Sequence, residues 1–123
     1  MRVVDTSAWI EWIVGSELGD VVHRQFPDYA DWIVPTMVQL ELVKWTTRVL
    51  GAERAGEILA LTQTLDVIPM DTPIAVRAAG YSMTHRLPMA DSVIYATARE
   101  LKADLLTCDA HFEGLEKVLY VPK

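Results

Sequence analysis

The sequence predicts an α/β fold in which a short, mostly parallel sheet carries helices on both faces. Two observations predict it. Apolar stretches too short for a helix recur along the chain, at residues 2–5, 31–35, 66–69, 104–107 and 118–121. Segments with helical spacing separate most of them, so most connections are crossovers rather than tight turns, as a parallel sheet requires. A length of 123 residues fits one domain with one core, and 51% hydrophobic residues exclude a disordered chain.

Each element has a local reason. "RVVD" is an apolar run without helical spacing, hence a buried strand. From Thr6, the apolar residues Trp9, Ile10, Ile13 and Val14 repeat at helical spacing up to Gly15. Trp9 and Trp12 read as core, with a partner groove as the rival, because interface cores are rich in aromatics. A second short helix is expected over Leu18–Phe26, stopped by Pro27, and a strand over "DWIVP". In "PTMVQLELVKWTTRVLG", Thr36 and Gln39 have capping-box spacing and Gly51 supplies the stop. Residues 52–65 form another helix and "DVIP" a strand. Pro73 sits in the first turn of the next helix, "DTPIAVRAAGYSMTHR". "PMADSVIYATARELKA" is apolar almost all round until Arg99, hence a buried helix. "DLLT", a short turn at Asp109–Leu115 and "VLYV" complete the series.

No apolar run approaches the roughly 18 residues of a membrane span, and "MRVVDTSAW" has no signal-peptide character. The lone Cys108 cannot form an internal disulfide, in keeping with a reducing compartment and a cytoplasmic protein. The formal charge of −6 argues at first against nucleic acid as a partner. That argument depends on where the acids sit. With four of them in a metal pocket, the remaining charge is 11 − 13 = −2, and bound divalent cations reverse the local sign.

Four acids stand out. Asp5 ends the first strand and Asp109 follows the fourth, in "LLTCDAHF". Ligands in parallel sheets bind beyond the carboxyl ends of the strands, so both acids face the functional edge. Each is also a candidate helix N-cap, worth about 1 kcal/mol. At Asp5, Thr6 or Ser7 could cap instead. Asp91 lies in the first turn of the buried helix, where the helix dipole contributes only about 0.3–1 kcal/mol. A buried carboxylate costs several kcal/mol, so it needs solvent, a cation or a metal. Glu41, Lys44 and Arg48 form one helical stripe. A local salt bridge explains that spacing, and so does a metal-binding acid with two cations aimed at phosphates. Two carboxylates about 4 Å apart repel by about 4 kcal/mol at an effective dielectric of 20, so four together call for protons or a metal. Hard oxygen donors select Mg²⁺ or Mn²⁺.

These motifs resemble the PIN domain, most closely the VapC-type toxin ribonucleases, over essentially the whole chain. "VVDTSAWI" resembles the motif of the first acid (Asp5), "LELVKW" the second (Glu41), "LPMADSVIYATA" the third (Asp91) and "LLTCDAHF" the fourth (Asp109, with Thr107 and Phe112). The resemblance implies a three-layer α/β/α sandwich over residues 1–123. It implies an endoribonuclease dependent on Mg²⁺ or Mn²⁺, acting on structured RNA such as tRNA or ribosomal RNA. It also implies homodimerisation and neutralisation by a cognate antitoxin. Asp5, Asp91, Asp109 and Glu41 would hold the metal, and Thr6, Ser7 and Thr107 would orient carboxylates or water. Lys44 and Arg48, and more weakly Arg86, would meet backbone phosphate. Where some PIN domains carry a further acid, this chain has His111, which leaves the metal count open.

Rival readings are weaker. A catalytically silent PIN-like protein-binding module would not need all four acids. A haloacid-dehalogenase-like phosphatase usually needs a second Asp where Ser7 stands, and a dinucleotide fold needs a glycine-rich turn. His23, His85 and His111 lack zinc spacing, and of the three His111 is best placed for a metal.

Overall fold

The computed structural model describes residues 1–123. Five strands form one sheet: β1 (Arg2–Val4), β2 (Trp32–Pro35), β3 (Asp66–Ile68), β4 (Asp104–Thr107) and β5 (Val118–Tyr120). Their order is β3-β2-β1-β4-β5, and every neighbouring pair is parallel. Six helices connect them: α1 (Thr6–Val14), α2 (Glu17–His23), α3 (Thr36–Leu50), α4 (Ala52–Gln63), α5 (Thr72–His85) and α6 (Met89–Glu100). The path from β1 through β2 to β3 runs one way across the sheet, and the return to β4 runs the other way. Right-handed crossovers then set α1–α4 on one face and α5–α6 on the other, so the expected α/β/α sandwich holds.

This topology makes a site before any side chain is considered. β1 and β4 are neighbours, but the segments that leave them travel in opposite directions across the sheet. A crevice therefore opens beyond their carboxyl ends. The register aligns Val4 with Leu106, which sets Asp5 opposite Thr107, and the Asp5 amide donates to the Leu106 carbonyl at 2.8 Å. Val3, Val4, Leu105 and Leu106 are fully buried beneath that edge. Burying each such side chain is worth about 1.5–3 kcal/mol, so the mount is rigid. α6 crosses the same core and is buried continuously from Ser92 to Ala98.

Tertiary packing revises several local expectations. α2 stops at His23 instead of Phe26, because Phe26 leaves the helix to join an aromatic cluster. Its ring lies 4.8 Å from Trp32 and 5.7 Å from Trp12, and Trp9 lies 5.1 Å from Trp32. Trp9 is fully buried, so its core reading holds. The capping box at Thr36 does not form: Pro35 takes the N-cap position and no side chain caps the helix. Gln39 instead donates across to Thr62 Oγ1 on α4 at 3.1 Å. Gly51, at φ 97°, ends α3 and starts α4, a backbone conformation that favours glycine. No helix is long and apolar enough to cross a membrane.

α2 packs on α1 through Gly19. A Cβ there would lie 2.3 Å from the Glu11 carbonyl oxygen and 3.1 Å from Trp12 Cα, both backbone atoms. Gly19→Ala should therefore lower unfolding stability by about 1–3 kcal/mol in urea titrations. Gly56→Ala, in open space on α4, should raise it by about 0.5–1 kcal/mol.

Candidate functional site

The crevice gathers acids from separate elements. Asp5 occupies the N-cap position of α1, but its side chain caps nothing, and neither Thr6 nor Ser7 takes over that role. All three are engaged elsewhere. Asp5 Oδ2 accepts from Ser7 Oγ at 2.6 Å and from Thr107 Oγ1 at 2.8 Å. Ser7 Oγ in turn accepts the Cys108 amide at 3.0 Å, and Thr107 Oγ1 accepts the Asp109 amide at 3.0 Å. One hydrogen-bonded web thus ties the end of β1 to the end of β4. Thr6 Oγ1 donates to Glu41 Oε1 at 2.7 Å, which fixes the α3 acid against α1. Asp109 caps the 3₁₀ turn Ala110–Phe112 through the His111 amide, so at this position the capping reading holds.

His111 joins the acids. Its Nδ1 lies 3.0 Å from Asp91 Oδ2 and 3.2 Å from Asp109 Oδ1. Asp91, Asp109 and His111 each bring one possible ligand atom within 4.8 Å of the other two. Nothing in local spacing couples His111 to a residue on α6. The available signal was its place in the turn just past β4.

The electrostatics show strain. Burial pushes the Asp5 carboxyl up to about 6; the Ser7 and Thr107 hydrogen bonds oppose the shift, and the negative charges of Asp91 and Glu41 add to it. Burial likewise raises Asp91, as does Asp109 beside it, against the hydrogen bond with His111. His111 is held above its usual value by the Asp91 hydrogen bond and the charge of Asp109. Burial pushes the Cys108 thiol up to about 11, so it stays protonated and is no nucleophile. The donors are carboxylate oxygens with one imidazole, and their mutual repulsion asks for positive charge. That combination fits a hard or borderline divalent cation such as Mg²⁺ or Mn²⁺.

The cations divide. Lys44 and Arg48 line a groove with Thr6, Glu41 and Ala90, the neighbour of Asp91. Glu41 is held by Thr6, and no ion pair engages Lys44 or Arg48, so the local salt bridge does not form. Arg86 caps α5 in a left-handed conformation (φ 55°), exposed, with no hydrogen bond or ion pair to the four acids.

The PIN domain model matches residues 2–118. The chain belongs to the PIN domain family. Its PIN fold is similar to a toxin–antitoxin complex from Klebsiella pneumoniae (20% identity, 97% of this chain and 96% of that one, TM-score 0.81). It is also similar to VapC20 of Mycobacterium tuberculosis, a Sarcin-Ricin loop cleaving toxin (18% identity, all of both chains, TM-score 0.78). A third similar structure is a DNA-bound VapBC from Salmonella typhimurium (15% identity, 98% and 96%, TM-score 0.75). Curated proteins give no sequence match.

The raised Asp5 pKa has a signed consequence for this PIN domain. Below its ordinary value of 3.8, Asp5 is protonated in folded and unfolded chains alike. Between 3.8 and about 6 only the folded chain keeps the proton, so stability falls as pH rises through that window. Above it, the ionised buried group costs on the order of 3 kcal/mol, at 1.36 kcal/mol per pK unit. In EDTA, Asp5→Asn should therefore be more stable than wild type at pH 7.5, with the gap closing near pH 4. Chemical unfolding across that range checks it.

Proposed function

We propose that this chain is an endoribonuclease that depends on Mg²⁺ or Mn²⁺, the toxin of a toxin–antitoxin pair. The observation that carries the reading is the convergence of Asp5, Glu41, Asp91 and Asp109 on one crevice, with a buried Asp5 whose charge is opposed by its neighbours. Asp5, Asp91 and Asp109 would hold the ion, with Glu41 completing the set and His111 beside them. A bound divalent cation would supply activation of an attacking water and neutralisation of charge on the scissile phosphate.

The chain's own groups do the rest. Ser7 and Thr107 hold Asp5 in one orientation, and Thr6 holds Glu41. Lys44 and Arg48 face backbone phosphates beside the cut, with Arg86 as an outlying contact. Attack in line at phosphorus leaves 3′-hydroxyl and 5′-phosphate ends. A structured RNA, tRNA or ribosomal RNA, is the proposed substrate, in keeping with the loop-cleaving toxin VapC20, which has a similar fold. The toxin–antitoxin and VapBC structures support an antitoxin partner. Residues 1–123 would form one PIN unit that works in the cytoplasm as a homodimer.

Asp91→Asn should abolish RNA cleavage in Mg²⁺ or Mn²⁺ while the circular dichroism spectrum stays that of wild type. Mapping RNA 5′ ends after induction of each protein reads the difference. Thr107→Val, which frees both Asp5 Oδ2 and the Asp109 amide, should lose about 10–100-fold. Full activity of Asp91→Asn would sink the metal reading. An inert wild type in both ions would leave the silent binding module.

A further inference from the structure

Three of the four tryptophans pack together: Trp9, Trp12 and Trp32 share the aromatic cluster with Phe26. Trp45 does not. It is half-buried in the groove of about 390 Å³ that leads away from the acids. The α3 wall of this groove is a continuous helical face: Met37, Leu40, Glu41, Lys44, Trp45 and Arg48. Opposite stand Thr6 and Ile10 of α1 and Ala90 of α6. Arg48 lies seven residues beyond Glu41, about 10 Å along the helix axis at 1.5 Å per residue. The groove thus runs from the carboxylates, past a partly open indole, between two cations without ion-pair partners.

Each feature suits one part of a nucleotide. An aromatic face stacks any base, worth about 1–3 kcal/mol, and cations beside it meet the flanking phosphates. A base inside a duplex has no free face for Trp45, so the occupant must be unpaired. We propose that this groove is a subsite for one unpaired nucleotide of the RNA strand, its base stacked on Trp45 and its phosphates held by Lys44 and Arg48. This rests on the ribonuclease reading above, and adds to it Trp45 as a base-stacking residue between the two cations. In a chain of charge −6, it also names the surface where the strand lies.

The test uses the full chain carrying Asp91→Asn in Mg²⁺, with a fluorescein-labelled single-stranded oligoribonucleotide and its duplex as probes. Anisotropy should show the single strand bound more tightly. Trp45→Leu should weaken it by about tenfold or more, while Trp45→Phe, which keeps a stacking face, stays within about threefold. Lys44→Gln with Arg48→Gln should flatten the salt dependence by about 1.4, at 0.7 per phosphate on a single strand. Equal losses for Phe and Leu would mean packing and overturn the proposal, as would unchanged binding in Trp45→Leu or a preference for duplex. A groove that takes a partner peptide but no RNA overturns it too. If the chain without Asp91→Asn cleaves RNA while Trp45→Leu binds normally, only the subsite fails. If that chain neither binds nor cleaves RNA, the ribonuclease reading fails with it.

Discussion

The structure turns on one buried carboxylate. Asp5 is 3% exposed, yet it sits where like charges from α3 and α6 also point. Left alone it would repel its neighbours or swing away. Two hydroxyls hold a single oxygen, Oδ2, and their own lone pairs are taken by the amides of Cys108 and Asp109. The web needs β1 and β4 side by side and in register, which in turn needs the crossover that separates them. Fold and site are therefore one problem: the sheet is the clamp that keeps a repulsive set of groups together.

Much of this was legible from residue order. The short apolar runs located the strands, with β4 read at its observed bounds, and their alternation with helices implied parallel pairing. The strand-then-acid pattern placed Asp5 and Asp109 on one edge. What failed were inferences that used only neighbours along the chain. Thr36 and Gln39 had capping-box spacing, but Thr62 on the next helix offered Gln39 a better partner. Phe26 had helical spacing, but three aromatics outside its helix drew it away. The stripe of Glu41, Lys44 and Arg48 left two readings open, and Thr6, from α1, decided against the salt bridge. His111 was the same kind of case, since its partner Asp91 lies twenty residues back on α6.

Charge also reads differently in three dimensions. A net −6 suggests a surface that repels nucleic acid, but the acids are not spread evenly. Several cations are consumed in ion pairs, Arg2 with Asp104, Arg77 with Glu100 and Arg99 with Glu116. Lys44 and Arg48 are spared, and both line the groove that meets the acid crevice. Local potential at a crevice depends on such arrangement more than on the sum.

The hydrogen bond from Thr107 to Asp5 spans 102 residues of sequence. The first acid is therefore made long before the residue that clamps it. Until β4 emerges and inserts beside β1, Asp5 lacks its Thr107 partner. A nascent chain on the ribosome thus lacks the assembled acid crevice until β4 has been made. Chain topology itself delays assembly of the acid crevice until β4 is in place beside β1.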